Sequence, residues 1–304
     1  MSHKNAKTKL SICAICQGRV GFRVLYRKNF SADKHLTVDV FSARRLPDKI
    51  HGSIVKCNQC GLVRSLEIID QDRLSKLYKN SNFTYSSLTN NLKDSYRQAL
   101  VKAMRYTSSK TSFLEIGCGN GFTMEVASEL GFKRVYGVEP STDAIAHAHQ
   151  TMRKNIINTT LKWGTFLGSK FDLICAFQVF DHIPDPNDFL QICHHILKPR
   201  GILLLFNHNA ESLSTKILGE NSPIFDIEHT FLYSQTTIAQ ILNNNKFIVK
   251  KVYSPPAIMS IRYIIKLLPL PKKVKAYLSN LKFPLLDYSI KLYPGNLCAI
   301  AIKK

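Results

Sequence analysis

The chain has 304 residues, room for one large domain or for a catalytic domain with a small module. A hydrophobic content of 45% is that of a globular core and excludes a disordered chain. A formal net charge of +21 asks for an anionic partner: a nucleic acid, an acidic membrane surface or an anionic substrate. The excess of Lys and Arg lies in residues 1–56 and 246–304, while the centre is close to balanced. The first residues, Met1-Ser2-His3-Lys4, are polar and basic, with no apolar run behind them to make a secretory leader. No stretch reaches the roughly 18 apolar residues of a membrane span. The nearest, residues 258–270, is broken by Arg262 and Lys266. These features predict a cytoplasmic protein.

Two C-x-x-C pairs come first, Cys13-Ala-Ile-Cys16 and Cys57-Asn-Gln-Cys60. Two-residue spacing points both thiolates of a pair at one ion, and two pairs complete a closed tetrahedral Zn²⁺ site. Such a site is structural, because four thiolates leave no open position for chemistry. The alternative, a redox pair, normally starts a helix after a strand, and neither pair does so. Gly18 and Gly61 suit the tight turn after each second cysteine. The intervening 40 or so residues exceed the usual ribbon spacing, so an inserted β-rich loop is expected, with Phe22–Tyr26 and residues 36–41 as its strands. Cys118, Cys175, Cys193 and Cys298 lie in apolar segments and read as core.

Residues 70–80 read as a short helix with Leu74, Leu77 and Tyr78 on one side, and residues 88–106 as a longer one. Then comes Ser112-Phe-Leu-Glu115-Ile-Gly117-Cys-Gly119-Asn-Gly121: a short buried strand running into a glycine loop. Phe122, Val126, Ala127 and Leu130 continue at helical spacing, and Gly131 stops the helix. Glycines let a ligand approach the backbone, and the helix start adds unpaired N–H groups. Dinucleotides and S-adenosylmethionine both use this geometry. The spacing here is G-x-G-x-G rather than the dinucleotide G-x-G-x-x-G. Glu115 would attract a methionyl amine and repel a pyrophosphate.

A second strand, residues 134–139, ends in Glu139, about 20 residues past the loop. A carboxylate there accepts hydrogen bonds from ribose hydroxyls, in either cofactor class. Ser141 is the N-cap of the next helix. Residues 161–170, near the third strand, contain no carboxylate for an adenine amino group, which leaves Trp163, Phe166 or a backbone group for that contact. Phe171–Phe177 is an apolar, central fourth strand. Gln178-Val-Phe-Asp181-His182-Ile-Pro-Asp185-Pro186 follows, with Asp185 capping a helix that ends at residues 197–201, and residues 202–206 form the fifth strand. His182 falls at the carboxyl edge of the sheet, where ligands bind in open α/β sheets. It is the candidate general base, and Asp181 either orients it or lies solvated. Its alternative is a histidine that only fixes the loop. His208 and His229 are weaker candidates. Ser234 caps a further helix, and residues 247–252 and 297–302 are the last two strands.

The glycine motif, Glu139 and residues 178–186 together resemble class I S-adenosylmethionine-dependent methyltransferases. The resemblance covers residues 10–250 or so. It implies a Rossmann-like, doubly wound α/β fold with a seven-stranded sheet and an antiparallel last strand. It implies S-adenosylmethionine as cofactor, held by Glu115, Gly117, Gly119, Gly121, Glu139 and Gln178. Together with the cysteine pairs, Leu77-Tyr78 and Tyr85 are similar to a subset acting on sugars or lipid-linked glycans, which carries a zinc module before the catalytic domain. The resemblance implies that Tyr85 either covers the cofactor or simply packs on the domain. The expected organisation is a zinc-ribbon-like module in residues 1–69, ligated by Cys13, Cys16, Cys57 and Cys60, and a methyltransferase domain in 70–304. Residues 254–296 form a basic amphipathic insertion before the last strand. It suits either a lid or an anionic membrane surface, at the inner face of a membrane.

The segment after the fourth strand lacks the Asn-Pro-Pro-Tyr-like element that grips base amines. A hydroxyl or carbon of a small-molecule or glycan-like acceptor is therefore the expected target. The alternatives are an RNA methyltransferase, favoured by charge, and a non-catalytic cofactor-binding protein.

Overall fold

The computed structural model describes residues 8–18, 21–29, 50–69, 71–81, 89–107, 109–168, 170–267, 270–281, 283–293 and 295–304. Tyr85 and the strand expected at residues 36–41 lie outside them. The N-terminal strands are β1 (Thr8–Leu10), β2 (Phe22–Tyr26), β3 (Ile54–Cys57), β4 (Val63–Ser65) and β5 (Glu67–Ile69). Helices α1 (Gln71–Lys79) and α2 (Thr89–Ala103) follow. On α1, Leu74 and Leu77 are buried and pack with Tyr78, the face expected from their spacing.

The strand–loop–helix unit is β6 (Ser112–Ile116) and α3 (Phe122–Glu129). Then come β7 (Arg134–Val138), the short helices α4 (Thr142–Ala146) and α5 (Gln150–Arg153), β8 (Ile156–Ile157) and β9 (Phe171–Phe177). The third strand is thus two residues long and precedes the segment 161–170. Phe166 from that segment packs on Phe171 and Tyr136 inside the core, and the Trp163 indole N–H donates to Asp188 at 2.7 Å. Helix α6 (Pro186–Ile196) starts as expected: the Asp185 side chain accepts from the Asp188 N–H, and Pro186 opens the first turn. Strand β10 (Leu197–His208) begins at once, earlier than the sequence suggests. Leu197 already pairs with Phe171, and the register then slips before Ile202, where Arg200 takes φ 59°.

The chain closes with α7 (Leu213–Leu218), β11 (Phe231–Leu232), α8 (Gln235–Asn244), β12 (Phe247–Tyr253), β13 (Ala257–Ser260), α9 (Ile261–Leu267), α10 (Lys272–Asn280), β14 (Ser289–Leu292) and β15 (Asn296–Lys303). Ser234 and Thr237 form a reciprocal cap on α8.

Among the described residues the main sheet has seven strands in the order β12-β15-β10-β9-β6-β7-β8. β15 runs antiparallel to both of its neighbours, and β6–β10 are mutually parallel where they pair. Every residue of β6 and β9 is buried, as two covered faces require. One face packs on α2 and α3 through Tyr96, Leu100, Met124 and Val126. The other packs on α6 and α8 through Phe189, Ile192, Ile238 and Ile241. Strand order reverses between β6 and β9, so their carboxyl ends open a crevice.

The N-terminal strands β2–β4 make a second sheet that residues 1–69 do not complete alone. β11, from residues 231–232, pairs with β4. Cys13, Cys57 and Leu62 belong to the same buried cluster as Phe189 and Ile238. The Asn187 side-chain amide donates to the Ala14 carbonyl at 2.9 Å. No helix among the described residues is long and apolar enough to cross a membrane.

Candidate active site at the carboxyl edge of the sheet

The loop after β6 turns by left-handed backbone at Gly117, Gly119 and Gly121, with φ of 69°, 54° and 75°. At Gly117 a side chain is also excluded by space, because a Cβ would collide with Val179 from the loop after β9. The Gly117 N–H donates to Val138 at 2.7 Å, which ties the loop to the end of β7. From that end Glu139 reaches back. Its two carboxylate oxygens accept from the Gly119 and Ser141 N–H groups, each at 2.8 Å. Burial raises the Glu139 pKa, and those two N–H groups partly counter it. Glu115 is buried on β6 beneath the loop.

Gln178 opens the other wall. It takes left-handed backbone, φ 56°, and its N–H donates to Phe206 at 2.7 Å. Its side-chain Oε1 is buried without a hydrogen-bond partner. A buried acceptor without a partner costs about 1–3 kcal/mol. It is a place for a donor such as a ligand amine. The six residues expected to hold the cofactor thus converge on the crevice. An adenosine ribose beside Glu139 and a methionyl amine near Glu115 and Gln178 fit what is present.

Behind Gln178 the chain makes a short turn, Phe180–His182, that buries Asp181 completely. His208, at the end of β10, donates from Nδ1 to Asp181 Oδ2 at 2.8 Å. His182 Nε2 lies 3.7 Å from Oδ1 and His229 Nε2 3.9 Å from Oδ2. The His229 ring is edge-on to both other imidazoles, with centroids 4.7 Å from His182 and 4.9 Å from His208. Burial alone would raise the Asp181 pKa. The His208 hydrogen bond and the His182 charge outweigh it and hold the carboxyl well below the usual range. Burial, and then the neighbouring His182 charge, push His229 well below an ordinary histidine, so it is neutral at pH 7. The carboxyl end of α1 and the two residues after it reach the crevice. The Tyr78 hydroxyl meets His182 Nδ1 at 3.0 Å, and the Ser141 hydroxyl donates to the Ser81 carbonyl at 2.9 Å.

Residues 88–251 match the family described as a methyltransferase domain, which is more than half of the chain. The chain belongs to that family. It is a class I S-adenosylmethionine-dependent methyltransferase by fold and motif. The relatives include two ubiquinone biosynthesis O-methyltransferases. The one from Glaesserella parasuis is 31% identical over 38% of this chain and 56% of its own length. One from Cereibacter sphaeroides (strain ATCC 17023) is 33% identical over 35% of this chain and 45% of its own. The methyltransferase thus spans about half the length of these curated relatives. An Archaeoglobus fulgidus S-adenosylmethionine-dependent methyltransferase of solved structure aligns over 72% of this chain and all of its own, with 19% identity and a TM-score of 0.47.

Away from the crevice, the methyltransferase brings Cys13, Cys16, Cys57 and Cys60 together, with all four sulfurs within 4.8 Å of one another. The two knuckles have one geometry. The N–H of Gln17 donates to Cys13, and that of Gly61 to Cys57, at 2.7 and 3.0 Å. Both donors are left-handed, φ 56° and 77°. The turn residue of the first knuckle is therefore Gln17 and not the expected Gly18. Cys13 and Cys60 sulfurs are 3.4 Å apart, near the ~3.8 Å edge of a tetrahedral zinc thiolate centre. Burial raises the Cys57 thiol, but the Cys60 and Gln59 N–H groups prevail and bring it down to about 7. The donor set fits zinc. The other four cysteines are buried in the core.

Sequence reasoning ranked His208 and His229 below His182. The structure gathers all three about one carboxylate. The signal that was available is that His208 ends the fifth strand, and so must reach the same edge as the loop after the fourth.

Proposed function

We propose that this methyltransferase moves a methyl group from S-adenosylmethionine to a hydroxyl of a small-molecule acceptor. A carbon in place of the hydroxyl, and a glycan-like or lipid-linked acceptor in place of the small molecule, are the other members of the proposed class. S-adenosylmethionine supplies a methyl already activated on a sulfonium. Gly117, Gly119, Gly121, Glu115, Glu139 and Gln178 hold it. The protein then has to position the acceptor and take its proton.

The observation that carries this reading is the 2.8 Å bond from His208 Nδ1 to the buried Asp181 carboxylate. It fixes the tautomer, so Nε2 carries the lone pair. This is the base–orienter half of a catalytic triad. His208 takes the acceptor proton at Nε2 as the oxygen attacks. His182, the base expected from sequence, is tied to Tyr78 and lines the acceptor side. The names of the two relatives support an oxygen acceptor on a small molecule. Cys13, Cys16, Cys57 and Cys60 hold a structural zinc ion, and residues 1–69 form a module completed by β11 of the 70–304 domain.

Calorimetric titration with S-adenosylhomocysteine, beside Glu139→Ala, tests the cofactor. Micromolar binding lost in the variant is the expected result. Turnover is then compared on phenolic and sugar hydroxyls and on transcribed RNA. Methylation of RNA alone would overturn the acceptor class. Cofactor binding without turnover on any acceptor would favour a non-catalytic protein.

A further inference from the structure

The insertion between β12 and β15 leaves and rejoins the sheet at one edge. β12 ends with Tyr253 opposite Cys298, and β15 begins with Asn296 opposite His208. The Asn209 N–H donates to the Gly295 carbonyl at 2.6 Å. The insertion therefore springs from the edge that carries His208, beside the proposed acceptor mouth. Residues 254–296 contain seven Lys and Arg against one acid, Asp287. Arg262 takes that acid in a two-point ion pair, Nε to Oδ1 at 2.7 Å and Nη2 to Oδ2 at 3.0 Å. The net positive charge of the segment is thus carried by its lysines.

The same segment exposes apolar side chains in an order. On α10, Val274 and Tyr277 lie one turn apart and are 41% and 69% exposed, and Leu281, the residue that ends the helix, is 38% exposed. Phe283 and Leu285, just beyond the helix, are 57% and 59% exposed. Lys273 and Lys291 are exposed in the same insertion. On α7, which starts five residues after His208, Leu213 and Ile217 share a face and are each 73% exposed. Aromatic and aliphatic side chains among lysines match the boundary of an anionic bilayer, with rings and alkyl groups in the acyl margin and ammonium groups at the phosphates. Nucleic acid would satisfy the charge and the rings, but it offers nothing to the aliphatic stripe.

We propose that residues 254–296, with α7 beside them, dock the enzyme on an anionic phospholipid surface, so that the acceptor mouth faces the membrane and takes a lipid-borne acceptor. This rests on the reading that acceptors enter at the His208 edge. Docking itself is independent of turnover.

The test is flotation of the full chain with vesicles of phosphatidylcholine, alone or with about 30% phosphatidylglycerol, at about 0.15 M salt. Lys273→Glu/Lys291→Glu and Tyr277→Ser/Phe283→Ser alter only exposed positions. Affinity for S-adenosylhomocysteine reports their folding and is expected unchanged. The expected result is binding to the anionic vesicles only, weakened at least about tenfold by the charge variant and lost in the aromatic variant. No binding to anionic vesicles, or equal binding by both variants, would overturn the proposal. So would binding of transcribed RNA in place of vesicles. Loss of cofactor binding by the unaltered protein would instead fault the methyltransferase reading and leave the docking result standing.

Discussion

The Tyr78 hydroxyl and His182 Nδ1 are 3.0 Å apart, across 104 residues of chain. Three residues on, the Ser81 carbonyl accepts from Ser141, next to Glu139. One short segment therefore bonds to both walls of the crevice, at His182 and at Ser141. Replacing Tyr78 by Phe removes one hydrogen bond and keeps the ring. A neutral hydrogen bond contributes about 1 kcal/mol, so kcat is expected to fall about fivefold. Cofactor affinity should change little. Steady-state kinetics beside calorimetry checks both, and an unchanged kcat would remove His182 from the acceptor wall.

His208→Ala is expected to lower kcat by about 10²–10⁴ while S-adenosylhomocysteine affinity stays within about twofold. Asp181→Asn should approach the same loss, because the amide no longer fixes the His208 tautomer. His182→Ala should cost less than either. If His182→Ala proves the more damaging, the proton acceptor is His182, with Asp181 beside it.

His229 faces Asp181, His182 and His208, and its pKa is pushed well below the ordinary value by burial. The unfolded chain then binds a proton that the folded chain refuses. Stability is full above the unfolded pKa of about 6.5 and is lost as pH falls below it, by up to about 1.4 kcal/mol per pH unit. Asp181 works lower on the scale. Its depressed pKa stabilises the fold above the unfolded value of about 3.9 and is lost only below that. His229→Gln should flatten the fall of the urea midpoint as pH drops below about 6.5. An unchanged slope there would mean that His229 is charged in the folded state.

Zinc removal is expected to unfold more than the small sheet. Cys13 and Cys57 share a buried cluster with Phe189 and Ile238, and β11 crosses into the sheet of the knuckles. Metal analysis should give one zinc per chain, lost in Cys57→Ser/Cys60→Ser. Structural zinc contributes on the order of 10 kcal/mol in small domains. Trp163, the single tryptophan, lies far along the chain from the knuckles and is bonded to Asp188 on α6. Its fluorescence should shift in the same transition as the far-ultraviolet signal when a chelator is added. A tryptophan signal that ignores the chelator would make the module an independent unit.

What could be read along the chain is what forms locally. The strand, glycine loop and helix around Gly117 occupy 18 consecutive residues, Ser112 to Glu129. Apolar runs, cap residues and glycine spacing speak for themselves over such a length. The caps at Ser141, Asp185 and Ser234 appear where their residue types predict them. The cysteine pairs announced their cluster by spacing alone. The turn of the first knuckle did not follow composition, because the tight hydrogen-bonded loop set the left-handed position at Gln17 before Gly18 was reached.

The cluster of histidines about Asp181 had no local signature. Asp181 and His208 stand 27 residues apart, and His229 lies on a different connection again. They meet because β9 and β10 pair in parallel from Ile202 onward, so the end of β10 and the turn after β9 reach the same edge. The same register brings the ends of the basic insertion to His208. The sequence by itself determined the elements, the glycine loop and the two cysteine pairs, since each depends on neighbours within a turn or a strand. Only the tertiary structure decided which histidine the buried carboxylate holds and which edge the lysine-rich face adjoins. Strand pairing sets those neighbours, and it joins residues that no periodicity along the chain relates.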